Sequence, residues 1–138
     1  VGRGERPEPS AAVKGGESLE SHQEPDLELK NLGSFYGSEH YYRLLGGINA
    51  TDGVHYIMEN GYSWFVTDAA VILRMEPKVR GQDFVVVRLK LLTEGKAKVV
   101  YEDGNDNVLF EQSYEWTNAK KELELFFTDQ VIMLASEY

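Results

Sequence analysis

The chain has 138 residues, a net charge of −9, 42% hydrophobic and 12% aromatic residues, and no cysteine. That length suits one domain, and the missing thiols exclude disulfides, a cysteine nucleophile and cysteine-ligated zinc. The acidic balance argues against nucleic acid as a partner, and nothing approaches the roughly 20 apolar residues of a membrane span or the apolar core of a signal peptide, so a cytoplasmic protein with no membrane partner is expected.

Residues 1–30 contain three of the four prolines and no aromatic residue. Such a stretch buries too little apolar surface to offset its ordering entropy, so it reads as a disordered tail. The first methionine is Met58, and the tail is expected to carry some sequence extraneous to the domain. A single domain is expected over residues 31–138.

Three short helices are predicted first. In "SEHYYRLLGG", Ser38 can serve as N-cap, Tyr41, Tyr42, Leu44 and Leu45 fall at near-helical spacing, and Gly46 can stop the helix. In "TDGVHYIMENG", Thr51 or Asp52 can cap a helix that Gly61 closes, with Val54, Ile57 and Met58 on one face. In "SWFVTDAAVILRMEP", Ser63 caps a third helix, which must end before Pro77.

From Asp83 onward the apolar period falls to two. "DFVVVRLKLL" sets Val85, Val87, Leu89 and Leu91 against Arg88 and Lys90. "KAKVVYED", "NVLFEQSYEW", "ELELFF" and "QVIMLAS" complete five strands. "TEGK", "DGND" and a tight turn at Thr128 and Asp129 link them as hairpins. The fold class expected is α+β, with three short N-terminal helices packed on one face of a five-stranded antiparallel meander sheet.

Few residues suggest chemistry. Asp103, Asn105 and Asn107 have the spacing of a calcium loop, but Val108 and Tyr114 stand where glycine and glutamate are needed. A hairpin turn is the better reading, and no metal is expected. No glycine-flanked serine elbow, phosphate loop or dinucleotide fingerprint is present. Outside the tail, which holds His22, the candidate bases are His40, beside Glu39, and His55, three residues after Asp52 on a helix face. A lone helical histidine is more often a packed or surface residue than a catalyst, so no catalytic residue and no cofactor are assigned.

Charge is unevenly placed. Residues 74–98 hold seven basic and three acidic residues, and residues 102–137 hold nine acidic and two basic. Neutralisation within one sheet is the expected use of that contrast. Glu111, Glu115, Glu122 and Glu124 form one partner-binding patch only if their strands are neighbours and Arg88 and Lys90 are remote. Inside the third helix, Asp68 sits among apolar residues and needs a partner, for which Arg43 and Tyr42 are candidates.

The segments "NLGSFYGSEHYYRLL", "TDGVHYIMENGYSWFVTDAA", "EDGNDNVLFEQSYEWT" and "VIMLASEY" resemble, in order and spacing, a small family of uncharacterised bacterial and phage-associated proteins known only as a domain of unknown function. The motifs that carry the resemblance are Phe35 and Gly37 with Glu39, Tyr41 and Tyr42, then Thr51-Asp52-Gly53-Val54, Trp64, Asp68, and Ser136-Glu137-Tyr138. Ala135 departs from a proline often found there. The resemblance implies an intracellular accessory protein, often from mobile DNA, and brings no catalytic residues with it.

Two functions compete on these observations. One is a non-enzymatic accessory protein that binds a host protein. The other is a ligand-binding protein or enzyme with a pocket between helices and sheet, lined by Tyr41, His55, Trp64 and Asp68. The terminal "VIMLA" has no lysine or proline to guard an edge, so its strand is expected to be central or to pair with a second copy as a homodimer.

Overall fold

The computed structural model describes residues 25–138; residues 1–24, which include His22 and most of the expected tail, lie outside the described residues. The expected boundary at residue 30 falls inside packed structure. Leu29 is 2% exposed, the Leu27 carbonyl accepts from the Tyr62 hydroxyl at 2.6 Å, and the Asp26 amide donates to Asn60 Oδ1 at 2.9 Å. Two leucines in a tight turn supply the apolar surface that a count of aromatic residues overlooks.

In place of the three expected helices there is one helical run over 52–75. The first of them does not form. Tyr42–Arg43 is strand β1, paired antiparallel with β2 (Asn49–Ala50). Gly46 and Gly47, both at positive φ, turn the chain between them, and the Leu44 amide donates to the Ile48 carbonyl at 2.7 Å. The glycine pair is thus a hairpin turn rather than a helix stop. The other two helices are continuous. α1 (Asp52–Ile57) passes through a π-helical segment, Met58–Tyr62, into α2 (Ser63–Met75). Gly61, at φ 100°, kinks this run without ending it, and Ser63 lies inside it instead of capping it. Thr51 does act as N-cap, accepting from the Val54 amide, and the run stops before Pro77 as expected.

The five expected strands form at the expected places: β3 (Val85–Leu91), β4 (Ala97–Glu102), β5 (Val108–Tyr114), β6 (Leu123–Thr128) and β7 (Val131–Leu134). Their order does not follow the expected five-stranded antiparallel meander. The sheet has seven strands in the order β1-β2-β7-β6-β3-β4-β5 and is mixed, because β2 and β7 run parallel. Among β3 to β6 the spatial order is a Greek key, with the fourth strand returning beside the first. The link from β5 to β6 crosses the end of the sheet to allow this. Its Thr117 amide donates to the Gly95 carbonyl at 2.7 Å, and its Lys120 and Lys121 amides donate to the Tyr62 hydroxyl at 3.0 and 3.2 Å. The turn between β6 and β7 is at Asp129 and Gln130, both at positive φ, one residue later than expected.

One helix face and one sheet face make the core. Phe65, Val66, Ala69, Ala70 and Leu73 recur at helical spacing and pack on Val85, Val87, Leu89, Val99, Tyr101, Leu125, Phe127 and Ile132. β7 is central, with β2 on one side and β6 on the other, so its edges are occupied within the chain and do not offer the surface that a homodimer through this strand would use. Among the described residues, no helix is long and apolar enough to cross a membrane.

Candidate functional site: an acidic aromatic cleft beside α1

Distant parts of the sequence meet at the start of α1. From one side, the Ser38 hydroxyl accepts from the Asp52 amide at 2.9 Å, and the Asp52 carboxylate accepts from the amides of Glu39 and His40 at 2.9 and 3.3 Å. The Glu39 amide is the main reason that the Asp52 carboxyl is held below the usual aspartate range, and burial opposes it; the His40 amide, the Tyr42 hydroxyl and the His40 ring add smaller lowering contributions. Burial first, and then the neighbouring Asp52, push the Tyr42 hydroxyl up. From the other side, the Glu137 carboxylate accepts from the Thr51 hydroxyl at 2.6 Å, the Gly53 amide at 3.1 Å and the Leu134 amide at 3.0 Å. Motifs at 37–42, 51–54 and 136–138 thus form a single joint.

A cleft of about 750 Å³ opens beside this joint, between the 34–42 segment and α1. Phe35, Tyr36, Tyr42 and Tyr56 supply aromatic surface, Glu39, Asp52 and Glu59 supply carboxylates, and no lysine or arginine lines it. The rings are ordered against each other: Phe35 and Tyr56 have centroids 5.2 Å apart, and Tyr42 stacks on His55 at 3.8 Å. The two histidines face carboxylates, His40 Nδ1 lying 3.7 Å from Asp52 Oδ1 and His55 Nδ1 lying 3.6 Å from Glu59 Oε1. Asp52 therefore faces His40 and not His55, the pairing their spacing on the helix suggests. Ser38 could be taken for a nucleophile, but its hydroxyl donates to the His40 carbonyl. Among the described residues it forms no hydrogen bond with an imidazole, as an activated serine nucleophile would. Aromatic faces suit a positively charged group when they lie beside carboxylates that, among the described residues, no lysine or arginine pairs with.

The four residues expected to line one pocket do not share a described cavity. His55 lines the cleft. Tyr41 is 59% exposed and does not line it. Trp64 borders a smaller cavity of about 110 Å³ with Tyr114 and Trp116. Asp68 accepts from the Tyr114 hydroxyl at 2.7 Å, which answers its need for a partner without Arg43 or Tyr42. Burial first, then this carboxylate, push the Tyr114 hydroxyl up. Residues that build the cleft but were absent from the expected set include Ser38, Tyr42, Asp52, Tyr56 and Glu59. The motifs at 37–42 and 51–54 were the available signal for three of them.

The four expected partner-binding glutamates are also dispersed. β3 and β4 lie between the strand of Glu111 and the strand of Glu124. Arg88 sits between them and contacts Glu102 at 3.2 Å and Glu124 at 2.5 Å. The Glu122 carboxylate accepts from the Leu91 amide at 2.9 Å. Arg88 of the basic segment is thus paired with Glu102 and Glu124 of the acidic one, while Glu111 and Glu115 are exposed. At the turn read as a failed calcium loop, Asp103 accepts from the Asn105 and Asn107 amides at 2.8 and 3.2 Å, and among the described residues no group of three or more histidine or acidic residues is placed to hold a metal.

Residues 26–138 match the model of a family described as a family of unknown function (DUF6876). No curated protein and no solved structure matches the chain.

Proposed function

The chain belongs to this family of unknown function, and from that premise we propose that it is an accessory protein acting by protein–protein interaction, its cleft receiving a cationic side chain of the partner. The observation that carries this reading is the cleft itself, with three carboxylates, four aromatic rings and two histidines but no lysine or arginine in its wall. A guanidinium or ammonium group over an exposed aromatic ring gains about 0.5–1 kcal/mol, and more once water is excluded. An exposed carboxylate adds about 0.2–1 kcal/mol. One side chain therefore supplies only part of the affinity, and flanking contacts from a protein partner supply the rest. The choice of recognition over chemistry is supported by the Ser38 hydroxyl, which is committed to a backbone carbonyl, and by the Asp52 carboxylate, which is committed to two amides. The motif resemblance supports a mobile-element or phage setting.

The test is a titration of the isotope-labelled protein with a short arginine peptide and its citrulline counterpart, which removes the charge and keeps the shape. Amide shifts confined to 34–42 and 52–59, larger for arginine and weakened by Glu39→Gln with Glu59→Gln, are expected. Equal responses to both peptides would defeat the reading.

A further inference from the structure

The other end of the sheet carries a second surface, independent of the cleft. β1 and β5 are the terminal strands. β1 is two residues long and β5 is seven. Among the described residues no strand pairs with the outer edge of β5, so every second residue there presents an N–H and a C=O to solvent. Edges of this kind are commonly guarded by lysine, proline or a bulge. β5 contains no lysine or proline, and its irregularity is confined to the first pairings, opposite Tyr101 and Glu102.

What guards the rest of the edge is a pair of exposed carboxylates, with Lys98 of β4 opposite the intervening Ser113. Glu111 is exposed on the sheet face away from the helix, and Glu115, in the bend just past the end of the strand, is exposed as well. A two-fold pairing of two β5 strands that continued the sheet would bring these carboxylates opposite or diagonal to their own copies, within the range where like charges repel. That disfavours a second copy. A basic strand would meet the same carboxylates favourably.

A pocket completes the edge. On the helix-facing side, Trp64 and Tyr114 meet edge to face at 5.1 Å, and with Trp116 they wall a cavity of about 110 Å³ at the C-terminal end of β5. Trp116 is 74% exposed, a large apolar surface left in water beside unpaired backbone groups. Main-chain pairing with a side-chain pocket alongside is the arrangement by which sheets capture extended peptides.

We propose that the β5 edge docks an extended basic segment of a partner protein, which adds to the sheet as a further strand. Its basic side chains face Glu111 and Glu115, and one aliphatic side chain enters the pocket between Trp64, Tyr114 and Trp116. Since Glu115 follows Glu111 by four residues, just past the end of β5, and Tyr114 points to the face opposite Glu111, the segment carries a basic residue near each end with an aliphatic residue next to one of them.

The probe is the acetylated, amidated peptide Thr-Lys-Val-Thr-Val-Lys-Thr, whose pattern reads alike in parallel and antiparallel pairing. It is mixed with the full chain at low salt and followed by amide hydrogen exchange and tryptophan fluorescence. Expected are slower exchange at alternate β5 amides, a change at Trp116, and binding that Glu111→Gln with Glu115→Gln weakens about 2-fold to 30-fold, the range for two exposed ion pairs. Trp116→Ala should weaken binding while leaving the unfolding midpoint unchanged. A peptide N-methylated at alternate residues should not bind. Equal binding of the N-methylated peptide, or no binding of the parent, overturns the proposal. Shifts confined to 34–59 also overturn it, while leaving the cleft reading in place. A dimeric mass with β5 already protected before peptide is added overturns it in favour of a second copy.

Discussion

Gly53→Ala tests whether the joint at the start of α1 holds the two ends of the domain together. A methyl group there would lie 2.4 Å from Leu134 Cδ1 and 2.7 Å from Glu137 Oε1. Neither neighbour can move aside freely: Leu134 is 4% exposed, and the Glu137 carboxylate holds three donors. Two effects oppose each other. Alanine is favoured over glycine within a helix by about 1 kcal/mol. Overpacking costs about 1–3 kcal/mol, and each bond to a charged acceptor that is stretched or lost forfeits up to about 1.5–3 kcal/mol. The clash wins, with a net loss of about 3 kcal/mol. In urea, with a slope of about 2 kcal/mol per molar, the midpoint falls by about 1.5 M at unchanged slope, read from tryptophan fluorescence.

Glu137→Ala removes the shared acceptor and strands the hydroxyl of Thr51, which is 3% exposed, costing about 2–3 kcal/mol. With Glu137 gone, the added methyl meets only Leu134, so the double variant should be less destabilised than the sum of the singles by at least about 1 kcal/mol. Strict additivity within about 0.5 kcal/mol, or a Gly53→Ala midpoint at or above that of the parent, would refute the joint.

Leu29→Ala should cost about 2–4 kcal/mol in the same unfolding assay, since Leu29 is 2% exposed and packs in the core cluster; a change under about 0.5 kcal/mol would return residues 26–30 to the tail. Arg88→Ala should destabilise by about 1–2 kcal/mol, because it leaves Glu102 and Glu124 without their shared cation, whereas Glu111→Gln should move stability by less than about 0.5 kcal/mol; the reverse ranking would mean that the sheet is not internally balanced. A carboxyl held below its usual range contributes stability above that range and loses it as pH falls through its folded value. Because the Glu39 amide holds Asp52 in that state, Asp52→Asn should lower the melting temperature at pH 7 and flatten its decline below about pH 4, as followed by circular dichroism; parallel curves for parent and variant would contradict this account.

The strands were legible because side-chain alternation is a local property. Val85, Val87 and Leu89 are 0, 0 and 1% exposed, as their period requires. Strand order was not legible, since the return of β6 beside β3 depends on the Tyr62 hydroxyl accepting the amides of Lys120 and Lys121, a contact across nearly sixty positions. In "SEHYYRLLGG" the near-helical spacing was real but overruled. Ser38, read as a local cap, binds the Asp52 amide, and Gly46 and Gly47 both take the positive φ that a tight hairpin needs. A helix would have left β2 without its partner β1 and Leu44 without its bond to Ile48.

The cleft was harder to read for a related reason. Its carboxylates come from a loop at Glu39, a helix start at Asp52 and a π-helical segment at Glu59, which no single periodicity relates. What the sequence did show was a set of motifs without an assigned use, and the structure gives most of them one. Asp52 fixes the loop at Glu39 and His40, while Glu137 fixes Thr51 and Gly53. Gly53 is needed because Leu134 and Glu137 occupy the space a side chain would take. The joint uses its polar groups to hold backbone in place, while Glu39, Glu59 and the rings of Tyr36 and Tyr56 line the cleft beside it. In the proposed function, position and recognition fall to neighbouring residues. Substitutions at Asp52 or Glu137 should therefore appear first as lost stability, and substitutions at Glu39 or Glu59 as lost binding in a protein that still folds.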